Sequence, residues 1–390
     1  MLRYSWGYVI LCVGFLLVFI SYGIRYGYGI LIPPMKASLS LSDVQSGLIA
    51  SSYFFSYTIS APFIGIIADK FSGKTVIPLL GLIMGLGTFT MGFATDWIFC
   101  ASLFALVGFG SHAGWISIMR FLADWFEAEK RGRAMGIASS GYGVGYGLVG
   151  MLLPFIVRMY GWRWGWHLLG SFTLLLALAS FFLLKERSPD STETTEARTV
   201  QKILFSANFW FIAFSYLCLA FATNVLMTFL VSYFNLDLSI DYTIASGLVS
   251  VVAFSGIPGS LILPSISDKI GRKESLILCN LAIAASVFGY VVVGADILLL
   301  ACLAIVYGVF YAATFPIYAA SASEYFKLES SGSVLGLWTL FYGVGATVSP
   351  TVAGFMRELM RSYSPAFTLS ATIMVLSVIL LLPISRPRSK

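Results

Sequence analysis

From Ile10 to Met35 the chain reads ILCVGFLLVFISYGIRYGYGILIPPM, an apolar run broken by one charge, Arg25. About 20 apolar residues are enough for a helix to cross the hydrocarbon core of a bilayer. A guanidinium near the middle of such a helix is strongly disfavoured if it faces lipid, so it must face a cavity or a partner. Arg25 stands among Ser21, Tyr22, Tyr26 and Tyr28. The run therefore predicts one wall of an aqueous pathway, with Arg25 as its anion-binding group.

The same reading along the chain gives twelve candidate spans, at 8–32, 44–68, 76–95, 97–121, 133–157, 165–184, 208–234, 242–267, 275–294, 296–322, 331–356 and 365–384. Only 11% of the residues are charged, where a soluble protein carries roughly a quarter. The expected fold class is thus an all-α membrane protein. One long polar break, Lys185 to Ala207, contains SPDSTETTEART, a composition that buries no apolar area. It divides the chain into a six-helix bundle over 1–184, a linker over 185–207 and a second six-helix bundle over 208–390.

Cys12, Cys100, Cys218, Cys279 and Cys302 all fall inside apolar runs, with no pairing or metal spacing. They read as packing residues, and neither a metal nor a cofactor is expected. The first run is too long for a signal-peptide core and lacks a small-residue cleavage site, so it is expected to be retained. With the N-terminus inside, seventeen Lys and Arg fall in inner segments, while five (Lys36, Arg158, Arg163, Arg357 and Arg361) fall outside. That bias predicts a multi-pass protein of the cell (inner) membrane with both termini cytoplasmic. The net charge of +6 resides in these short loops, which makes the bilayer, and not nucleic acid, the expected partner.

The two halves repeat. Asp69-Lys70 matches Asp268-Lys269 at an offset of 199. Trp125-Phe126, Gly132, Gly136 and Tyr142-Gly143-Val144-Gly145 match Tyr325-Phe326, Gly332, Gly336 and Tyr342-Gly343-Val344-Gly345 at an offset of 200. Two halves in the same orientation imply a pseudo-twofold along the membrane normal and a substrate site between them at mid-depth.

After the second and eighth spans come GIIADKFSGK (Gly65 to Lys74) and PSISDKIGRK (Pro264 to Lys273). An acid, a base, a tight turn and further bases make a compact charged latch that pins a helix end in one state and releases it in another. The predicted latch comprises Asp69, Lys70 and Lys74, then Asp268, Lys269, Arg272 and Lys273, with the i,i+4 pair Arg120 and Asp124 at the inner end of the fourth span. These loops resemble the signature of the major facilitator superfamily, with Pro264 in place of the leading glycine of one copy and Gly73 one place late in the other. Ser5-Trp6-Gly7-Tyr8-Val9, SYGIRYGYGILIPPM (Ser21 to Met35) and RFLADWFEAEKRGRAMGIASSG (Arg120 to Gly141) are similar to the monocarboxylate transporter family and its bacterial monocarboxylate and oxalate:formate members. The resemblance implies a twelve-helix, two-bundle carrier for a carboxylate. Such carriers often hold a second cation in helix eight or eleven, and spans 242–267 and 331–356 contain no Lys or Arg.

The remaining candidates are placed around Arg25. A guanidinium fork matches a carboxylate bidentately, and Tyr22 and Tyr26 are near enough to add hydrogen bonds. His112, in GFGSHAGW, is the one mid-span residue whose ordinary pKa lets it change charge near neutral pH, which makes it the candidate for proton coupling as well as for substrate contact. Its bland alternative is a core histidine satisfied by a neighbouring hydroxyl or carbonyl. GYGVGYGLVG (Gly141 to Gly150) follows no strand and is no phosphate loop. Its glycines suit close helix packing, and Tyr142 and Tyr146 are candidates to line the cavity. In the second half the candidates are Asn224, Tyr307, Tyr311, Trp338 and Tyr342.

The expected function is secondary active transport of a small, monocarboxylate-like organic anion by a monomer, coupled to protons. A multidrug or lipophilic-compound efflux carrier is the alternative, and it calls for a buried acid facing the cavity. An enzyme calls for a clustered nucleophile, metal or acid-base set, which the chain lacks.

Overall fold

The computed structural model describes residues 2–185, 203–326 and 331–385, which are helical with no strand. Most of the predicted linker, including Arg187, Arg198 and Lys202, lies outside the described residues, as do Lys327 and the C-terminal Arg386, Arg388 and Lys390. The first half holds α1 (Leu2–Leu39), α2 (Asp43–Lys70), α3 (Gly73–Met91), α4 (Trp97–Gly110), α5 (Ile116–Trp125), α6 (Ala128–Tyr160) and α7 (Trp162–Leu183). The second holds α8 (Ala207–Ser232), α9 (Tyr242–Ile270), α10 (Arg272–Val293), α11 (Ile297–Tyr325), α12 (Ser331–Met360) and α13 (Ser364–Leu381).

Eleven segments among the described residues are long and apolar enough to cross a membrane, α4 and α5 together making one of them. The twelfth span is α2, 28 residues long, in which Ser51, Ser52, Tyr53, Ser56, Tyr57, Thr58 and Ser60 replace aliphatic side chains. Polar groups within a span face the bundle interior or water, so this band marks the side of α2 turned away from lipid. At the face opposite the termini, acids start the helices. Asp96 accepts the Phe99 amide at 2.9 Å, and Asp296, 200 positions later, accepts those of Leu298 and Leu299 at 3.0 and 3.1 Å. The Phe99 amide stabilises the ionised form and holds the exposed Asp96 carboxyl below its ordinary range.

The fourth span, expected as a continuous helix over 97–121, is broken. α4 stops at Gly110, Ser111–Gly114 form a single 3-10 turn, and α5 starts after Trp115 adopts φ −136° and ψ −79°. The turn presses against α1. A Cβ on Gly114 would stand 2.7 Å from the Leu17 carbonyl oxygen and closer still to Ser21 Oγ, so only glycine fits there.

Three helix pairings recur in both halves. α1 packs along α6 as α8 does along α12, α2 along α4 as α9 does along α11, and α3 along α7 as α10 does along α13. This is the pseudo-twofold that the repeat implied. Between the halves, α2 packs on α12, α6 on α9 and α1 on α8. That contact is one-sided. On the face away from the termini, Gly150 of α6 approaches Ser250 and the Ser246 carbonyl of α9, and Gly47 of α2 approaches Pro350 of α12, while Gly143 of α6 meets Ile257 of α9 at mid-depth. Toward the termini, Gly65, Gly132, Gly136, Gly332 and Gly336 meet no neighbouring atom within 4 Å of where a Cβ would stand. The bundles are thus joined on one face, and the cleft between them opens on the face shared by the start of α1 and the end of α13.

Candidate functional site

Helical spacing turns Ser21, Tyr22 and Arg25 of α1 toward the cleft. There they line a cavity with Tyr53 and Tyr57 of α2, Ser111 of the 3-10 turn and Trp115. The Arg25 guanidinium lies over aromatic faces: 4.4 Å from the Phe54 ring centre, 5.3 Å from Tyr26, 5.6 Å from Tyr22 and 5.8 Å from Tyr53. Such contacts contribute about 0.5–2 kcal/mol each, which offsets only part of the lost hydration. Among the described residues no carboxylate pairs with Arg25, whose buried Nε has no hydrogen-bond partner. Arg25 is half-buried with its Nε out of reach of water; a partly desolvated cation without a counter-ion is disfavoured, and an arriving anion relieves that penalty.

Tyrosines surround the cation and cross the cleft. Tyr22 meets the ring of Tyr142 edge-on at 4.9 Å, and Tyr26 lies 4.7 Å from Tyr146. Tyr26 and Tyr311 share a hydroxyl–hydroxyl hydrogen bond of 3.1 Å that joins α1 to α11. Trp115 packs edge-on to Phe315 at 5.3 Å, again across the bundles. Asn224 of α8 donates to the Ala220 carbonyl at 2.8 Å and to the Tyr342 hydroxyl at 3.3 Å. Tyr342 also stands within electrostatic reach of Arg25. Tyr142 and Tyr342, which the repeat equates, therefore reach one cleft from opposite bundles.

Three of the predicted contacts need correction. Tyr146 and Tyr307 are fully buried against Tyr26 and Tyr311 and support these rings; none of the four lines the Arg25 cavity. Trp338 is fully buried near the open end, where its indole donates to the Phe209 carbonyl at 3.1 Å and its ring packs on Phe209 and Phe326. Its amphipathic ring made it a candidate in the sequence, but neighbouring aromatics enclose it.

His112 lies within the 3-10 turn, fully buried. Its ring stacks on Tyr57 at 4.2 Å, and Nε2 lies 3.1 Å from the Tyr57 carbonyl and 3.0 Å from Ser60 Oγ. A carbonyl only accepts, so Nε2 carries the hydrogen in this arrangement. Nδ1 is then a bare acceptor, buried and without a partner. His112 is outside the lining of the Arg25 cavity and touches it through Tyr57 and Ser111. Tyr53, Phe54, Tyr57, Trp115 and Phe315 were not among the expected site residues. Tyr53 and Tyr57 stand at i,i+4 in a span rich in hydroxyls, a spacing that does not by itself separate lining from packing, and Phe54, Trp115 and Phe315 carry no sequence signal.

At the open end, Arg272 of α10 pairs with Asp268 of α9 and donates to Ser267 Oγ and, at 3.1 Å, to the Pro264 carbonyl. Its Nε faces Glu324 of α11 at 3.5 Å. Lys273 donates to the carbonyls of Leu382 and Ile384 at 2.5 and 2.9 Å. The second latch thus ties α9, α10, α11 and the end of α13 together, while Lys269 is exposed. Glu324 is the repeat mate of Asp124, 200 positions on, which is the signal that identifies it. In the first copy Lys70 and Lys74 are exposed, Arg120 and Asp124 sit one turn apart on α5 with each engaged by a partner, and the Asp69 side chain lies outside the described residues.

Two duplicated bundles of spans, joined at one face and open at the other around an unpaired cation, define a polytopic solute carrier. The sequence profile described as Major Facilitator Superfamily matches residues 14–304 and 212–390. The chain is 25% identical to the probable sulfoacetate transporter SauU of Cupriavidus necator, over 94% of this chain and 91% of that one. It is 24% identical to monocarboxylate transporter 12 of Rattus norvegicus, over 97% and 85%. Its fold is similar to the crystal structure of a bacterial homologue of the human lysosomal transporter Spinster, with a TM-score of 0.75 at 16% identity, covering 97% of this chain and 95% of that one. The chain belongs to the Major Facilitator Superfamily, and it is a membrane transporter, not an enzyme.

Proposed function

We propose that this carrier moves a small, monocarboxylate-like organic anion by alternating access, with protons as the coupling ion. The observation that carries the reading is Arg25, a cation without a carboxylate partner among the described residues, in a small cavity that α1, α2, the 3-10 turn and Trp115 of the first bundle line beside the cleft. Two of its relatives are named for sulfoacetate and for monocarboxylates, both organic anions. A substrate carboxylate takes the guanidinium fork, and the Tyr22, Tyr57 and Tyr142 hydroxyls at the cleft meet its remaining oxygens. One guanidinium with no second cation in the lining matches one negative charge. With the termini cytoplasmic, the cleft opens inward, and a single chain in the inner membrane holds the whole pathway. Asp268, Arg272 and Glu324 on one side, and Arg120 and Asp124 on the other, act as the inner latches that hold the helix ends of each bundle as it rocks.

Substrate binding drives the cycle only through its different affinity for the inward and outward forms. His112, neutral with Nδ1 bare, is the proton acceptor nearest the site. An efflux carrier for lipophilic cations would need an acid facing the cavity, and the lining residues include none. The test is uptake of labelled lactate, pyruvate, oxalate and similar acids into proteoliposomes with and without a pH gradient. The reading expects accumulation driven by the gradient, lost in Arg25→Ala, and His112→Asn that still binds substrate but no longer accumulates it. Drug extrusion without carboxylate flux contradicts it.

A further inference from the structure

We infer that the joined face is closed by a polar lock centred on Asp43, and that the carrier must break this lock to open there. The inference rests on the alternating-access reading of the cleft, but not on which solute is carried. Asp43 begins α2 and is 9% exposed. From its own bundle Lys36, at the end of α1, reaches its Oδ1 at 2.5 Å. From the other bundle Tyr363, fully buried just before α13, donates its hydroxyl to the same oxygen at 2.7 Å. The neighbouring Val44 amide donates to Glu358 of α12 at 3.3 Å. Gly354 of α12 lies so close to the Asp43 carbonyl that any side chain there would overlap it.

The two sides of the lock are each anchored within their own bundle. The Tyr363 amide donates to Asp237 at 2.6 Å, and Asp237 pairs with Arg357 at 3.1 Å, whose guanidinium stands 5.3 Å from the Tyr363 ring centre. Phe229 stacks on the other part of that ring at 4.8 Å. Asp43 keeps Lys36, and α2 keeps its Ser42–Gln45 capping box, whatever the second bundle does. When the face opens, Tyr363 and its anchors leave as one piece, and water replaces one hydroxyl on a carboxylate that remains paired. A charged hydrogen bond of this kind is strong enough to bias the closed state and weak enough to exchange for water. It is therefore a reversible gate, where a fully buried ion pair between the bundles would resist separation.

The test uses spin labels at Thr95 and Ala295, exposed on the same face of opposite bundles, in the full carrier reconstituted in lipid. Distance distributions are compared for the parent, Tyr363→Phe and Asp43→Asn. The lock predicts that both variants shift the ratio of closed to open molecules on this face toward open by roughly tenfold, and that the double variant shifts it no further than either one. Tyr363→Phe removes a single oxygen from a ring held by stacking, so it stays interpretable if Asp43→Asn fails to fold. A Tyr363→Phe protein with an unchanged melting temperature and an unchanged distance distribution overturns the lock. Loss of anion binding in Arg25→Ala is read separately, so failure of the anion assignment leaves this result standing.

Discussion

Arg25 keeps its charge by resting on rings. The Phe54 ring is the nearest, at 4.4 Å, while the Tyr22, Tyr26 and Tyr53 rings sit farther off. Phe54→Leu removes the closest face and about 1 kcal/mol of cation–π attraction. It is expected to raise the KM for the anion about fivefold with little change in maximal flux, and Phe54→Trp to restore it. Equal loss of both parameters would assign Phe54 to packing alone. Arg25 itself was legible in the sequence because a lone charge in an apolar run has few places to go. Tyr142 and Tyr342 stood out as amphipathic residues in glycine-rich spans, and they occupy equivalent places in the repeat. Tyr53, Phe54 and Tyr57 were not, since an uncharged aromatic in a membrane helix looks the same whether it packs or lines a cavity. Trp338 shows the converse: an amphipathic ring in a span stands out as a candidate, but the neighbours that enclose it, Phe209 and Phe326, are not readable from the sequence.

Among the elements, the interrupted fourth span has the most consequence. The 3-10 turn over Ser111–Gly114 places Ser111 in the cavity and His112 behind Tyr57. Hydropathy cannot distinguish this from a straight helix, because the break is set by tertiary contact of Gly114 with α1. Gly114→Val forces a branched side chain into the Leu17 carbonyl and the Ser21 hydroxyl. Overpacking of this kind costs about 1–3 kcal/mol, so a lowered melting temperature in detergent is expected, together with weakened anion binding as the Ser111 side of the cavity shifts. An unchanged melting temperature would mean that α1 and the turn separate freely. The α2–α12 contact is the other decisive element. Ser51 and Thr351 share a hydrogen bond of 2.8 Å between the bundles, which brings their Cβ atoms near disulfide spacing. In a carrier freed of its five cysteines, the pair Ser51→Cys and Thr351→Cys is expected to cross-link, stop transport and recover it on reduction. Cross-linking with undiminished flux would contradict a face that opens.

For the whole molecule, the number of spans, their division into two sixes and the parallel repeat all follow from hydropathy and two offsets. The matching helix pairings in the two halves agree with them. What no single chain reading supplies is the state of the cleft. Its openness toward the termini arises from which glycines find a partner across the bundles and which find none, a property of packing between distant residues. These scales come together where the tyrosine bridge from Tyr26 to Tyr311 lies beside the uncompensated guanidinium. The central claim is that an anion completes this site. The most direct measurement is the melting temperature of the purified carrier titrated with a panel of carboxylates, since a ligand of the native state raises it by mass action. The account predicts that at least one monocarboxylate stabilises the parent in a saturable way, about tenfold or more weakly in Arg25→Lys, which keeps the charge but loses the fork, and not at all in Arg25→Ala. Equal stabilisation of Arg25→Ala and the parent by the same anion would contradict it.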